Sequence, residues 1–92
     1  MTTYEDVLSS AVKKEIGVIG EEVALEIARS VDGISVDPDG NVTIDSGNGK
    51  EKLAELVEAY KDFSPVSKHL IKNEIDPIFK ENPDLEKPDF LK

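Results

Sequence analysis

Residues 34–45 read ISVDPDGNVTID, and this stretch decides the fold because the hydrophobic period changes here from helical to alternating. Apolar β-branched residues alternate with polar ones on both sides of Pro38 and Gly40. Proline supplies the φ that a turn needs early, and glycine tolerates a positive φ. We therefore predict a β-hairpin at about residues 34–45. A lone two-stranded hairpin is marginal in water, so it must lie against helices or pair with another chain.

Two amphipathic patterns precede the hairpin. Thr3 is a candidate N-cap, and apolar residues at three-and-four spacing predict a helix to about Ile16. Residues 17–20 predict a tight corner, since each glycine inside a helix costs about 1 kcal/mol relative to alanine. Glu21 begins a second helix, and Gly33 is a suitable stop after it. The apolar set of that helix comprises Val23, Ala24, Ile27, Ala28 and Val31, with Leu25 to one side.

Two further helices are predicted after the hairpin. The third helix carries the most regular apolar stripe in the chain, formed by Leu53, Leu56, Val57, Tyr60 and Phe63. Ser64 and Pro65 read as an N-cap and a first helical position, and they begin the fourth helix. Proline inside a helix removes a backbone donor, so at Pro77 the helix either kinks or gives way to a short turn capped by Asp76.

The expected fold class is α+β and mainly α, with about four helices in a small orthogonal bundle and one hairpin between helices 2 and 3. Ninety-two residues are enough for one core. We assign residues 1–81 to a single helical domain containing the hairpin. Residues 82–92 form an extended, proline-containing C-terminal tail, pinned by Leu85, Phe90 and Leu91.

Composition limits the classes of function. The chain has no cysteine, which excludes disulfides and thiolate chemistry and is compatible with a cytoplasmic location. It shows no signal peptide and no apolar stretch approaching the roughly 20 residues of a membrane span. The net charge of −9 is concentrated in residues 1–46, which hold ten acidic and three basic side chains. This half of the chain should repel polyanions. We interpret its acidity as serving solubility, and a partner with a basic face is the alternative.

Two loops resemble ion sites only superficially. If Gly40 took the glycine position of a calcium-binding loop, Asp37 and Asp39 would fit, but serines stand at both ends where carboxylates are required. A calcium-binding loop at residues 37–45 therefore remains a minor alternative. Residues 47–50, Gly-Asn-Gly-Lys, lack the first glycine and the final Ser or Thr of a phosphate loop. We interpret them as a linker.

The single histidine gives no catalytic site by itself. His69 has no cysteine and no obvious activated serine to act on, and it belongs to no zinc-binding pattern. It lies instead in a cationic neighbourhood made by Lys61, Lys68 and Lys72, which Asp62 and Glu74 offset. We predict no catalytic residue, no cofactor, no metal ligand and no small-molecule substrate, and we expect that the protein is not an enzyme.

The order helix, corner, helix and hairpin also has the outline of a winged helix that binds nucleic acid. Its would-be recognition helix exposes Glu21, Glu22 and Glu26 and has only Arg29 as a cation, whereas duplex binding requires several cations. A nucleic-acid-binding or transcription-regulatory protein is thus the second interpretation. The first is a non-catalytic protein-interaction or regulatory domain, which binds a protein partner or a second copy of itself as a possible homodimer.

Overall fold

A computed structural model describes residues 1–91 and contains four α-helices with one two-stranded antiparallel sheet. The elements, in chain order, are α1 (Tyr4–Ile19), α2 (Glu21–Arg29), β1 (Ile34–Val36), β2 (Val42–Ile44), α3 (Gly49–Phe63), α4 (Pro65–Glu81) and a 3-10 helix (Asp89–Leu91). The predicted fold class is confirmed: the protein is mainly helical, and the hairpin lies between helices 2 and 3.

Helix α1 is longer than predicted. It begins with the expected cap, in which the Thr3 side chain accepts a hydrogen bond from the Asp6 amide and the Asp6 carboxylate accepts one from the Thr3 amide. It then continues through Gly17 to Ile19, so the predicted four-residue corner is reduced to Gly20, whose φ is +95°. One glycine inside a helix costs about 1 kcal/mol relative to alanine. The packing of the long α1 against α2, α3 and α4 outweighs this cost.

The hairpin forms at the predicted place. Its register pairs Ile34 with Ile44 and Val36 with Val42, which puts these apolar side chains on one face. Gly40 takes a φ of +92°, as the turn requires. The hairpin is therefore built as the alternating pattern predicts, with one face directed at the helices.

Side chains of α1 and α2 cover both edges of the hairpin. On the β2 edge, the Val42 amide donates to Ser9 Oγ at 2.8 Å and the Ile44 amide donates to Glu5 Oε2 at 2.7 Å. On the β1 edge, the Arg29 guanidinium donates twice to the Val36 carbonyl, at 3.1 and 3.2 Å. Edge groups that could pair with a foreign strand are thus engaged within the chain. The hairpin gains its support from the helices.

Two of the predicted helix stripes need correction. Leu53, Leu56, Val57 and Tyr60 of α3 are buried as expected, but Phe63 is 56% exposed because α3 ends there and the chain turns away. In α2, Leu25 is only 5% exposed and belongs to the core, whereas it was expected to lie to one side. A nine-residue helix held between α1 and α3 buries a wider arc than its spacing alone predicts.

Helix α4 runs without a break through Pro77, so Asp76 does not cap a separate turn. Ile75 and Phe79, on either side of the proline, are both buried in the core. Their packing keeps the helical path despite the missing backbone donor. The centroid of the Tyr4 ring lies 6.3 Å from that of the Phe79 ring, so the start of α1 lies beside the end of α4.

The C-terminal segment folds back onto the helices. Pro88 and Leu91 are buried, and Leu85 and Phe90 pack against the core, so all three predicted pinning residues make contact. The segment is not extended throughout, because residues 89–91 form a 3-10 turn in which the Leu91 amide bonds the Pro88 carbonyl at 3.0 Å. Lys92, the last residue of the predicted tail, lies outside the described residues.

Candidate functional site

A depression in the surface lies between α3 and the C-terminal segment, and we call it the tail groove. Its volume is about 570 Å³. The apolar part of its lining consists of Ala54, Val57, Pro88 and Phe90. The charged part consists of Lys50, Glu51, Glu58, Lys68, Glu86 and Asp89. The groove therefore combines an apolar floor with a rim that is mostly acidic.

Polar contacts fix the C-terminal wall of the tail groove. The Tyr4 hydroxyl donates to the Glu86 carbonyl, and the Lys50 ammonium pairs with the Glu86 carboxylate, which raises the pKa of Lys50. One residue further on, Lys87 Nζ lies 3.4 Å from Asp76 Oδ1 on α4. The wall is thus attached to α1, α3 and α4.

A second depression of about 330 Å³ adjoins the first on the far side of Phe90. We call it the corner pocket, and it is lined by Pro65, Lys68, His69, Lys72 and Phe90. The four α4 residues have the spacing i, i+3, i+4 and i+7, so they lie on one face of the helix. Lys68 and Phe90 line both depressions, so the two lie next to each other.

Neither lysine of the corner pocket forms an ion pair within residues 1–91, although Lys68 also lines the tail groove with its acidic residues. Within residues 1–91, the ion pairs closer than 4.0 Å involve the lysines at positions 50, 52, 61, 80 and 87. Lys68 and Lys72 are in none of these pairs, although both are half-buried. No carboxylate lines the corner pocket. In a chain with 20 acidic and 11 basic residues, two adjacent cations are thus left to solvent or to a partner.

Exposed apolar side chains at the end of α3 and the start of α4 lie close in sequence to this pocket. Phe63 is 56% exposed and Val66 is 60% exposed, and the two flank Pro65, which itself lines the pocket. We use the name corner surface for Phe63, Val66, Lys68, His69, Lys72 and Phe90 together. It combines apolar and cationic side chains on a protein whose net charge is −9.

A buried acidic residue lies in the core, away from both depressions. Glu15 on α1 is fully buried, and neither carboxylate oxygen has a hydrogen-bond partner among the described residues. The Tyr60 hydroxyl donates to the Ala24 carbonyl at 2.7 Å. Burial, followed by the negative charge of Glu15, raises the pKa of Tyr60 above its ordinary value of 10.0. The interior therefore holds a carboxylate and a phenol that influence each other.

The raised pKa of Tyr60 makes stability sensitive to alkaline pH. The folded state holds the phenol proton of Tyr60 more tightly than the unfolded state, and this difference contributes to the free energy of unfolding. The contribution is complete below pH 10.0 and is lost as the pH rises above that value. We expect urea midpoints to fall between about pH 9 and about pH 11. In Tyr60→Phe, the urea midpoint should fall less steeply with pH. The remaining fall is due to Tyr4, because burial also raises the pKa of Tyr4. Equal slopes for the two proteins would contradict the assignment.

The hairpin turn that resembled a calcium loop is closed by the protein itself. The Asp37 carboxylate accepts hydrogen bonds from the Asp39 amide at 2.9 Å and from the Asn41 amide and side chain at 2.9 and 3.1 Å. The bonds from Asn41 are the main reason that the pKa of Asp37 is lowered. Across residues 1–91, no three acidic or histidine side chains are grouped so that they could hold a metal ion. The turn geometry thus has a sufficient cause without an ion.

The linker at residues 47–50 serves to begin α3. Asn48 is the N-cap, and its side chain accepts from the Lys50 amide at 2.9 Å and the Glu51 amide at 3.3 Å. A Cβ on Gly49 would come within 2.5 Å of the Tyr4 side chain, so glycine permits the close approach of α1. The amides that resembled a phosphate cradle are engaged by Asn48.

The geometry expected of a winged helix is only partly present. Glu21, Glu22 and Glu26 of α2 are exposed, as the sequence predicts. Arg29, the one cation of this helix, is committed to the Val36 carbonyl. The cations of the corner surface, Lys68 and Lys72, lie instead on α4 and are half-buried. A duplex approaching α2 would therefore meet carboxylates.

Sequence reasoning found some of these features and missed others. It grouped Lys68, His69 and Lys72, but not Phe90, because the contact between α4 and the tail joins residues about twenty positions apart. It also missed Glu15, although a spacing signal was available: this residue falls three positions after Val12 and seven after Leu8, on the buried face of α1.

Comparisons with protein-family models, with curated proteins and with solved structures give no match. No helix in the described part of the chain is both long and apolar enough to cross a membrane.

Proposed function

We propose that this protein is a non-catalytic, cytoplasmic protein-interaction domain, and that the corner surface with the adjoining tail groove is its docking site. The observation that carries the proposal is the exposure of Phe63 and Val66 beside the two half-buried lysines at positions 68 and 72, which have no ion-pair partner among residues 1–91. Exposed apolar groups next to unpaired charges are typical of a surface that a partner covers.

The size and shape of the site support a polypeptide partner. The tail groove and the corner pocket have volumes of about 570 and 330 Å³ and share Phe90 as a ridge. Both are open depressions along helices, and a peptide segment can follow such a path. An aromatic ridge suits the centre of an interface because aromatic side chains carry a large share of binding energy.

Capture of partners by variants of the corner surface tests this function. Three immobilised proteins are compared: wild type, Phe63→Ser/Val66→Ser and a Val18→Ser control. Each is incubated with lysate of the source organism, and bound proteins are quantified by mass spectrometry. Val18 is 45% exposed at the opposite end of α1 from Tyr4, so its replacement changes an apolar surface outside the proposed site. We expect one specific partner to be bound in similar amounts by wild type and the Val18→Ser control. The double variant should bind at least about tenfold less of that partner.

Self-association is examined with the same three proteins. Sedimentation equilibrium shows whether the partner is a second copy of the chain, since replacement at the corner surface would then convert a dimer to a monomer. The proposal fails if the three proteins capture the same partners in equal amounts and have the same oligomeric state.

A further inference from the structure

We infer that the corner surface recognises an acidic partner segment, one that carries clustered carboxylates next to an apolar side chain. This inference rests on the proposed function and adds the chemistry of the partner. The partner's carboxylates contact Lys68 and Lys72, and its apolar side chain packs against Phe90 and Val66.

The positions of the two lysines favour carboxylates. They are four residues apart on one face of α4, so their Cβ atoms are separated by about 6 Å, a distance that two carboxylates on one turn of a partner helix can match. Both lysines are half-buried before any partner binds, and no carboxylate lines the corner pocket. Docking would remove further water from these cations, which strengthens their attraction to an opposite charge.

The overall acidity of the protein does not prevent this contact. At physiological ionic strength, charges separated by more than about 8 Å are largely screened, whereas groups in contact are not. The lining of the corner pocket contains two lysines and one histidine, so the local charge decides the preference for the partner. Distant carboxylates, such as those of α2, act mainly on the rate of approach.

The tail groove limits where the partner's carboxylates can lie. Its charged lining holds four acidic residues and two lysines; Lys50 is paired with Glu86, and the second lysine is Lys68, which also lines the corner pocket. Carboxylates placed beyond Lys68 would meet a lining in which acidic residues outnumber lysines. The acidic part of the partner must therefore be confined to the corner pocket, and the part that enters the groove beyond Phe90 must be neutral or basic.

The test uses a fluorescein-labelled peptide of about 16 residues, helical in pattern, with Glu and Leu in one half and Gln and Leu in the other. In the comparison peptide, Lys replaces every Glu. Binding is measured by fluorescence anisotropy at about 150 mM salt. The proteins are wild type, Lys68→Glu/Lys72→Glu, and a matched Lys13→Glu/Lys14→Glu variant. Its altered lysines lie on α1 outside both depressions and, like Lys68 and Lys72, are in none of the ion pairs among residues 1–91. Circular dichroism verifies that all three are folded.

We expect wild type and the matched variant to bind the acidic peptide at least about tenfold more tightly than the lysine peptide. Lys68→Glu/Lys72→Glu should reverse that order. Equal binding of the two peptides by wild type, or equal loss in both double variants, would overturn the inference. So would tighter binding of duplex DNA that competes with the peptide. If the acidic peptide fails while capture still depends on Phe63 and Val66, the partner class is wrong and the proposed function stands.

Discussion

Replacement of Glu15 by methionine is expected to stabilise the protein by about 2–3 kcal/mol. Both carboxylate oxygens are buried and lack a hydrogen-bond partner within residues 1–91, so the folded state bears an uncompensated cost of removing them from water. Methionine has a similar volume and flexible rotamers, and it can fill the same space without a polar atom that needs a donor. The change should appear as a higher urea midpoint with an unchanged slope.

Glu26→Met is the matched control for this replacement. Glu26 is exposed on α2, and its replacement should change stability by less than about 0.5 kcal/mol. A second readout follows from the neighbouring phenol: because the charge of Glu15 contributes to the raised pKa of Tyr60, Glu15→Met should move tyrosine ionisation to lower pH. Destabilisation by Glu15→Met would show that the carboxylate has a stabilising contact that the described structure lacks.

Leu91→Ala is expected to destabilise the protein by about 2–4 kcal/mol. Leu91 is 6% exposed and belongs to the hydrophobic core, although it lies in the segment that the sequence assigns to a tail. Truncation of a buried leucine removes its transfer free energy and leaves a cavity. Urea unfolding followed by circular dichroism measures the loss.

Leu85→Ala provides the comparison for Leu91→Ala. Leu85 is half-buried and contacts the edge of the core, so its truncation should cost less than about 1.5 kcal/mol. If both variants were as stable as wild type, the C-terminal segment would not be docked in solution. Because Phe90 is adjacent to Leu91, detachment of the segment would also remove one wall of the corner pocket. Stability and binding are thus linked through these neighbouring residues.

Local signals in the sequence were sufficient for most elements. The cap at Thr3, the alternation around Gly40 and the proline at position 65 each depend on a few neighbouring residues, and all three lie where they were expected. The errors arose where long-range packing outweighs a local preference. Gly17 and Pro77 both discourage helix, yet α1 and α4 continue through them because the residues around them pack against other helices.

The candidate site was less predictable than the fold. Cations at Lys68 and Lys72 were visible in the sequence, but their lack of an ion pair within residues 1–91 depends on where the acidic residues are placed in space. The exposure of Phe63 depends on α3 ending at that residue. Neither property is a function of spacing along the chain.

By itself, the sequence determined the four helices, the hairpin, the absence of thiols and the excess of negative charge. These properties depend on residue type and on contacts between near neighbours, for which periodicity and turn chemistry are sufficient. Only the tertiary structure decided that Glu15 is enclosed without a hydrogen-bond partner among residues 1–91, that α1 and α2 supply bonds to both hairpin edges, and that Phe90 lines the same pocket as the lysines of α4. Those outcomes require contacts between residues distant in the chain, and such contacts are set when the whole core packs.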